Sequence, residues 1–193
     1  MSGLRILSGD AKGRVLKTLK SDDHSIRPML GRMKKSLFDI IRPKLYGCEF
    51  LDLFAGTGAV GFEALSNGAR RVVFVEQSPV SLKLIKDNMD MLGWSAKGVI
   101  QRADITKGLG WLKVQFDIIF MGPPYKDSKK APLALTIPAL RAVADAGLLL
   151  DGGWIICQHH KKEPVDAPAA FEMFRQEKYG DTLVSFFNKT ERR

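Results

Sequence analysis

Between Phe50 and Glu76 the chain reads FLDLFAGTGAVGFEALSNGARRVVFVE, and this stretch restricts the possible folds more than any other. Phe50 to Phe54 is an apolar run broken only by Asp52, and Gly56, Gly58 and Gly61 then crowd into six positions. Ala59 to Ser66 has helical spacing, and Val72 to Val75 is a second apolar run. The order predicts strand, glycine turn, helix and strand. Glycines belong at such a turn because a side chain would block the approach of backbone to a ligand, and some positions require positive φ. The turn is expected to be the floor of a binding site.

Two ligands suit that floor. Gly56-x-Gly58-x-x-Gly61, with Glu76 about 20 residues on to bind a ribose, satisfies the dinucleotide fingerprint. Against a nicotinamide cofactor stands Asp52, whose carboxylate at the strand end would repel a pyrophosphate. S-adenosylmethionine matches better, because it carries no phosphate and its ammonium and sulfonium are cationic. Glu76 can accept both ribose hydroxyls in either case.

With 193 residues and 45% hydrophobic composition, the chain can bury one sizeable core. It has no apolar run near the roughly 20 residues of a membrane span and no charged-then-apolar leader at Met1, so a soluble, cytoplasmic protein is expected. Cys48 and Cys157 are too few and too far apart for a paired-cysteine metal site and are expected to be buried thiols. Residues 1–47 hold eleven Lys and Arg against four Asp, an excess of seven in a chain whose net charge is +9. Basic charge concentrated in one segment favours a phosphate-rich partner.

Leu4 to Ser8 and Arg14 to Thr18 predict a hairpin around Gly9 to Gly13. Arg27-Pro28 should open a helix burying Met29, Leu30, Met33, Leu37, Phe38, Ile40 and Ile41, with Arg32, Lys34 and Lys35 facing out and an end near Arg42, before Pro43. Such an arm is too small to fold alone and should lie on the main domain. The chain thus divides into residues 1–47, a basic appendage suited to a phosphate-rich partner, and residues 48–193.

Ser78-Pro79 caps and opens a helix through Leu92 that Gly93 ends. Gly98 to Arg102 is the third strand, followed by Asp104. Asp52, Glu76 and Asp104 should all lie at the C-terminal edge of a parallel sheet, where ligands gather, with Asp104 near an adenine amine. Phe116 to Met121 is a fourth strand, followed by Gly122-Pro123-Pro124-Tyr125. The prolines keep nearby carbonyls out of regular structure, free as acceptors. Tyr125 can stack on a planar base, an interaction worth roughly 1–3 kcal/mol. Pro132 to Ala146 reads as helix, Gly152-Gly153 as a turn and Trp154 to Cys157 as strand five. Gln158, His159 and His160 form a polar strand end, since adjacent histidines point apart and no third ligand is spaced to join them, so no metal is expected. Phe171 to Tyr179 and Thr182 to Phe187 complete a seven-stranded sheet as an antiparallel pair.

Arg27-Pro28 with Leu37-Phe38, the run Leu51 to Ala59, the Phe74-Val75-Glu76 strand end, Pro-Pro-Tyr after strand four and Lys178 to Thr182 together resemble the RsmD-type methyltransferases, over nearly the whole chain. That family methylates the exocyclic N2 amine of one guanine in 16S ribosomal RNA. The resemblance implies an α/β, class I S-adenosylmethionine-dependent fold: a Rossmann-like, seven-stranded, mostly parallel sheet preceded by a β-hairpin and helix. It implies that Arg27, Asp52, Phe54, Ala55, Gly56, Gly58, Glu76, Gln77, Asp104 and Ile105 hold S-adenosylmethionine, and that Gly122, Pro123, Pro124 and Tyr125 hold the reacting guanine. Arg5, Lys12, Arg14, Lys17, Arg32 and Lys35 would grip 16S rRNA within a small-subunit particle, and the protein would act as a monomer.

Two motifs depart from the family pattern, at three positions. Gly122 stands where the family has Asp or Asn, and Met29 and Gly31 stand where it usually has Thr and Asp. An aromatic amine is a poor nucleophile, and the side chain missing at Gly122 normally accepts one of its N–H groups. Losing such a hydrogen bond costs roughly 1.5–3 kcal/mol, about one to two powers of ten in rate. Two alternatives follow: an rRNA-binding or assembly protein of the same fold with weakened chemistry, or a DNA adenine-N6 or cytosine-N4 methyltransferase. The second would need a target-recognition domain for which so short a chain has no room.

Overall fold

A computed structural model describes residues 4–18, 31–126 and 131–190. Its centre is a seven-stranded sheet of order β3-β2-β1-β4-β5-β7-β6. The strands are β1 (Glu49–Leu53), β2 (Arg71–Glu76), β3 (Gly98–Arg102), β4 (Phe116–Met121), β5 (Leu149–His160), β6 (Phe171–Tyr179) and β7 (Thr182–Lys189). The first five run parallel and β7 is antiparallel to both β5 and β6. Parallel strands need both faces covered, which is why β1 is buried from end to end. Helices α1 (Gly31–Leu45), α2 (Ala59–Ser66) and α3 (Pro79–Leu92) pack on one face over Phe50, Phe74, Phe120 and Phe186. On the other face α4 (Thr136–Asp145) and the short 3-10 turn Ile105–Lys107 pack over Leu51, Leu53, Ile119 and Phe187.

The βαβ core and the third and fourth strands lie where their apolar runs place them. Other elements differ. The helix expected from Arg27-Pro28 is described from Gly31 and continues through Pro43 to Leu45. A proline in the last turn removes one hydrogen bond, and the burial of Leu45 just beyond it holds the turn in place. Lys34, expected to face solvent, is 1% exposed because Glu63 on α2 lies 2.8 Å from its ammonium. The hairpin reduces to one bridge, Arg5 to Val15, with backbone bonds such as Leu16 N–H to the Leu4 carbonyl. The expected helix from Pro132 shortens to α4. The Gly152-Gly153 turn is absorbed into β5 as a bulge, where Phe116 pairs with Leu149 but Ile118 with Trp154. A Cβ on Gly153 would lie 2.9 Å from the Asp117 carbonyl, so the bulge needs glycine there.

The N-terminal segment packs on α2 and α3 through polar bonds. The Glu63 carboxylate accepts the backbone N–H groups of Leu7 and Ser8, and Asn88 on α3 bonds both the N–H and the carbonyl of Lys17.

Candidate active site

Val75, Leu53, Met121 and Cys157 lie level across the four central strands, where β1 and β4 end. One residue further along stand Phe54, Glu76, Gly122 and Gln158, so the chain's chemistry converges on one rim.

The loop after β1 has three residues with left-handed backbone: Phe54 (φ 58°), Gly56 (φ 54°) and Gly58 (φ 76°). For a bulky residue such as Phe54 this conformation is strained, by roughly 1–3 kcal/mol, and strain of that kind gathers at ligand sites. At Gly58 a Cβ would lie 2.7 Å from the Phe62 ring, so glycine is required by space as well as by φ. The N–H of Phe62 donates to the Gly58 carbonyl and starts α2 directly from the loop.

Two carboxylates fix this loop. Asp52 is buried, and its Oδ2 accepts the Gly61 N–H at 2.9 Å. Burial pushes its carboxyl well above the ordinary value of 3.8, the Gly61 hydrogen bond opposes that, and the nearby Glu76 charge adds to it. Asp52 therefore stands behind the loop, bracing its backbone from inside, and not on the open side where the sequence suggested it. Glu76 is on the open side. Its Oε2 accepts the Gly56 N–H at 2.8 Å, and its Oε1 accepts those of Gln77 at 2.8 Å and Ser78 at 2.9 Å. One carboxylate thus ties the glycine loop to the start of α3 and keeps lone pairs toward solvent.

Asp104, at the end of β3, accepts from the Thr106 N–H at 3.0 Å and hydroxyl at 2.7 Å, and the hydroxyl bond holds its carboxyl below the usual range. Ile105 beside it is buried, Ala55 is buried, and Gln77 is exposed. Arg27 lies outside the described residues.

After β4, Pro123 is buried, Pro124 exposed, and Gly122 and Tyr125 half-buried. Tyr125 is anchored at its far end: its hydroxyl accepts from the Gln158 amide at 3.0 Å and lies 3.4 Å from Thr182 Oγ1. Its ring meets His160 edge-on, with centroids 5.8 Å apart. His159 turns to the opposite face, where its Nε2 lies 2.8 Å from Ser185 Oγ, and burial pushes its pKa down. Gln158 and Thr182 were assigned no role from sequence. The signal for Gln158 is its position one residue past an apolar strand run, and that for Thr182 is its place at the end of the Lys178 to Thr182 run.

The basic residues separate into two groups. Arg32 and Lys35 are exposed near the N-terminal end of α1, where Ser36 bonds the Tyr179 hydroxyl at the rim side of the sheet. Lys12 and Arg14 are exposed at the opposite end, since the Arg14 guanidinium donates to the carbonyl of Met91 in the last turn of α3. Fourteen residues of α3 separate that end from the rim, about 20 Å at 1.5 Å per residue. Arg5 and Lys17 are exposed between them.

Known proteins resemble this chain in sequence and in fold. The family described as "Conserved hypothetical protein 95" matches residues 4–188. A Bacillus subtilis (strain 168) protein named "Putative rRNA methyltransferase YlbH" is 32% identical over 190 residues, covering 96% of this chain and 99% of the relative. The "Ribosomal RNA small subunit methyltransferase D" of Haemophilus influenzae is 29% identical, over 95% of this chain and 91% of its own. Among solved structures, "Putative methyltransferase yhhF from Escherichia coli" superimposes with a TM-score of 0.82 at 22% identity, covering 97% of this chain and 98% of that one. The fold is that of the S-adenosylmethionine-dependent methyltransferases, and the chain belongs to the Conserved hypothetical protein 95 family, the RsmD-type rRNA methyltransferases.

Proposed function

We propose that this protein transfers the methyl group of S-adenosylmethionine to the exocyclic N2 amine of a guanine in 16S rRNA, acting in the cytoplasm as a monomer on a small-subunit particle. The observation that carries the reading is adjacency: the Glu76-braced glycine loop follows β1, and Gly122 to Tyr125 follow the neighbouring strand β4 on the same rim. Paired strands lie about 4.8 Å apart, which brings a nucleoside over the loop within reach of a base at Tyr125.

The residues present suit the cofactor. The loop turns through left-handed backbone at Gly56 and Gly58 with no side chain at either position, and Glu76 presents a carboxylate for a ribose diol. In this reading Gln77, Asp104 and Ile105 border the adenine. When bound, the cofactor supplies an electrophilic methyl group. The chain's own residues then have three tasks. The Gly122–Pro123–Pro124 turn offers a carbonyl to one of the amine's N–H groups, which helps to leave the nitrogen lone pair free. Tyr125, fixed through its hydroxyl, stacks on the base. The target is extruded from its stack to reach this site, as expected of enzymes that act on a base. Arg32 and Lys35 bind phosphates near the rim, and Arg5, Lys12, Arg14 and Lys17 bind them further along the same RNA, consistent with a net charge of +9.

The test is incubation with methyl-labelled cofactor and small-subunit particles that lack this methylation, followed by digestion to nucleosides. Label in N2-methylguanosine is expected. No transfer by either the wild type or Gly122→Asp contradicts the reading. Gly122 itself favours a second one, an rRNA-binding assembly protein with weakened chemistry, which predicts cofactor and RNA binding with no turnover.

A further inference from the structure

An exocyclic amine presents two N–H groups, and the loop that receives it carries no side-chain acceptor at residue 122. The structure places another one there. Met121 pairs with Cys157, so Gly122 and Gln158 are the next residues on adjacent parallel strands, on the same face of the sheet. Gln158 Oε1 lies 4.0 Å from the point that a Cβ on residue 122 would occupy. The direction of the amide follows from its neighbours. The Tyr125 hydroxyl gives its proton toward Thr182 and therefore accepts from Gln158 Nε2 at 3.0 Å, which turns Oε1 toward Gly122. Gln158 is half-buried, and its Oε1 has no hydrogen-bond donor among the described residues.

We propose that Gln158 is the side-chain acceptor for the substrate amine, with Oε1 receiving one of its two N–H groups. The proposal rests on the amine-methylation reading above and adds to it a specificity-determining residue. The Thr182–Tyr125–Gln158 chain then couples base stacking to amine orientation: the tyrosine that holds the ring also aims the amide at the amine. During transfer the amine lone pair forms the N–C bond as the C–S bond breaks, with that bond's electrons remaining on sulfur. The amine then loses one proton to water, because an amide oxygen holds an N–H without acting as a base at neutral pH. A Cβ at 122 would stand in ordinary contact with Oε1 at 4.0 Å and would ask the Phe120 ring, 3.2 Å away, to give by a few tenths of an ångström.

The experiment compares three variants with the wild type on undermethylated small-subunit particles, measuring kcat, cofactor Kd by calorimetry and thermal midpoint. Gln158→Leu should lower kcat about ten- to a hundredfold with cofactor Kd unchanged. Gln158→Glu should recover most of that loss and add an acid limb to the pH profile as the new carboxylate protonates near its ordinary range of about 4. Gly122→Asn in the Gln158→Leu background should also recover activity, because it restores an acceptor from the opposite side. A Gln158→Leu variant that turns over like wild type overturns the proposal while leaving the methyltransferase reading intact. So does a loss that neither Gln158→Glu nor Gly122→Asn relieves, since that marks a purely structural role. Absence of transfer by the wild type overturns the functional reading and this proposal with it.

Discussion

Asp52 shows how far one side chain's role depends on the strand row it occupies. It shares that row with Phe74, Phe120 and Ile156, all buried, so its carboxyl can meet only the first turn of α2. Because burial raises its pKa above 3.8, the folded protein holds this proton more tightly than the unfolded chain does. The associated stability is complete below about pH 4 and is lost as pH rises through the folded value. We therefore expect the unfolding free energy of the wild type to fall relative to that of Asp52→Asn between pH 4 and pH 8, measured by urea titration at each pH; a difference that stays constant would contradict this. The acid's presence beside the glycine turn was legible in the sequence. Its inward direction was not, because alternation along a strand buried on both faces gives no inside or outside to read. For the same reason Gln158 looked like one more polar residue at a strand end.

Among the elements, α2 is the joint between the site and the N-terminal segment. Its first turn closes the glycine loop through Gly61 and Asp52, and its middle carries Glu63, which binds Lys34 of α1 and the backbone of Leu7 and Ser8. The Lys34 ammonium also donates to the Arg5 carbonyl at 2.8 Å. Removing one partner of such a buried pair leaves an uncompensated charge and costs about 3–5 kcal/mol. Lys34→Met should lose that much stability in urea and expose residues 4–18 to protease, whereas Lys34→Met/Glu63→Gln should recover part of the stability. Equal stability of Lys34→Met and wild type would show the pair to be idle. The strands and α3 were readable from apolar runs, the Ser78 cap and Gly93. The pairing was not: Glu63 sits within an apolar stretch and Lys34 within a basic one, and only their meeting across two helices reverses the expected orientation of Lys34. Gly152-Gly153 misled in the same way, since two glycines mark a bulge as readily as a turn.

At the scale of the whole molecule, Arg32 and Lys35 lie toward the rim and Lys12 and Arg14 at the far end of α3, a separation suited to an extended polyanion. Under the proposed function, Arg32→Ala/Lys35→Ala should weaken RNA binding and make the slope of log K against log salt shallower by roughly 0.7 to 0.9 for each phosphate that is no longer neutralised. An unchanged slope would remove α1 from the interface. No helix among the described residues is long and apolar enough to cross a membrane. Every functional role proposed for the chain requires the rim between β1, β2 and β4 to be a seat for a cationic sulfur nucleoside, and calorimetric titration with S-adenosylmethionine tests that most directly. It should give one molecule bound per chain and a Kd about ten- to a hundredfold weaker in Glu76→Ala, the worth of one charge-assisted hydrogen-bonding group. Failure of the wild type to bind, or binding undiminished by Glu76→Ala, would contradict it.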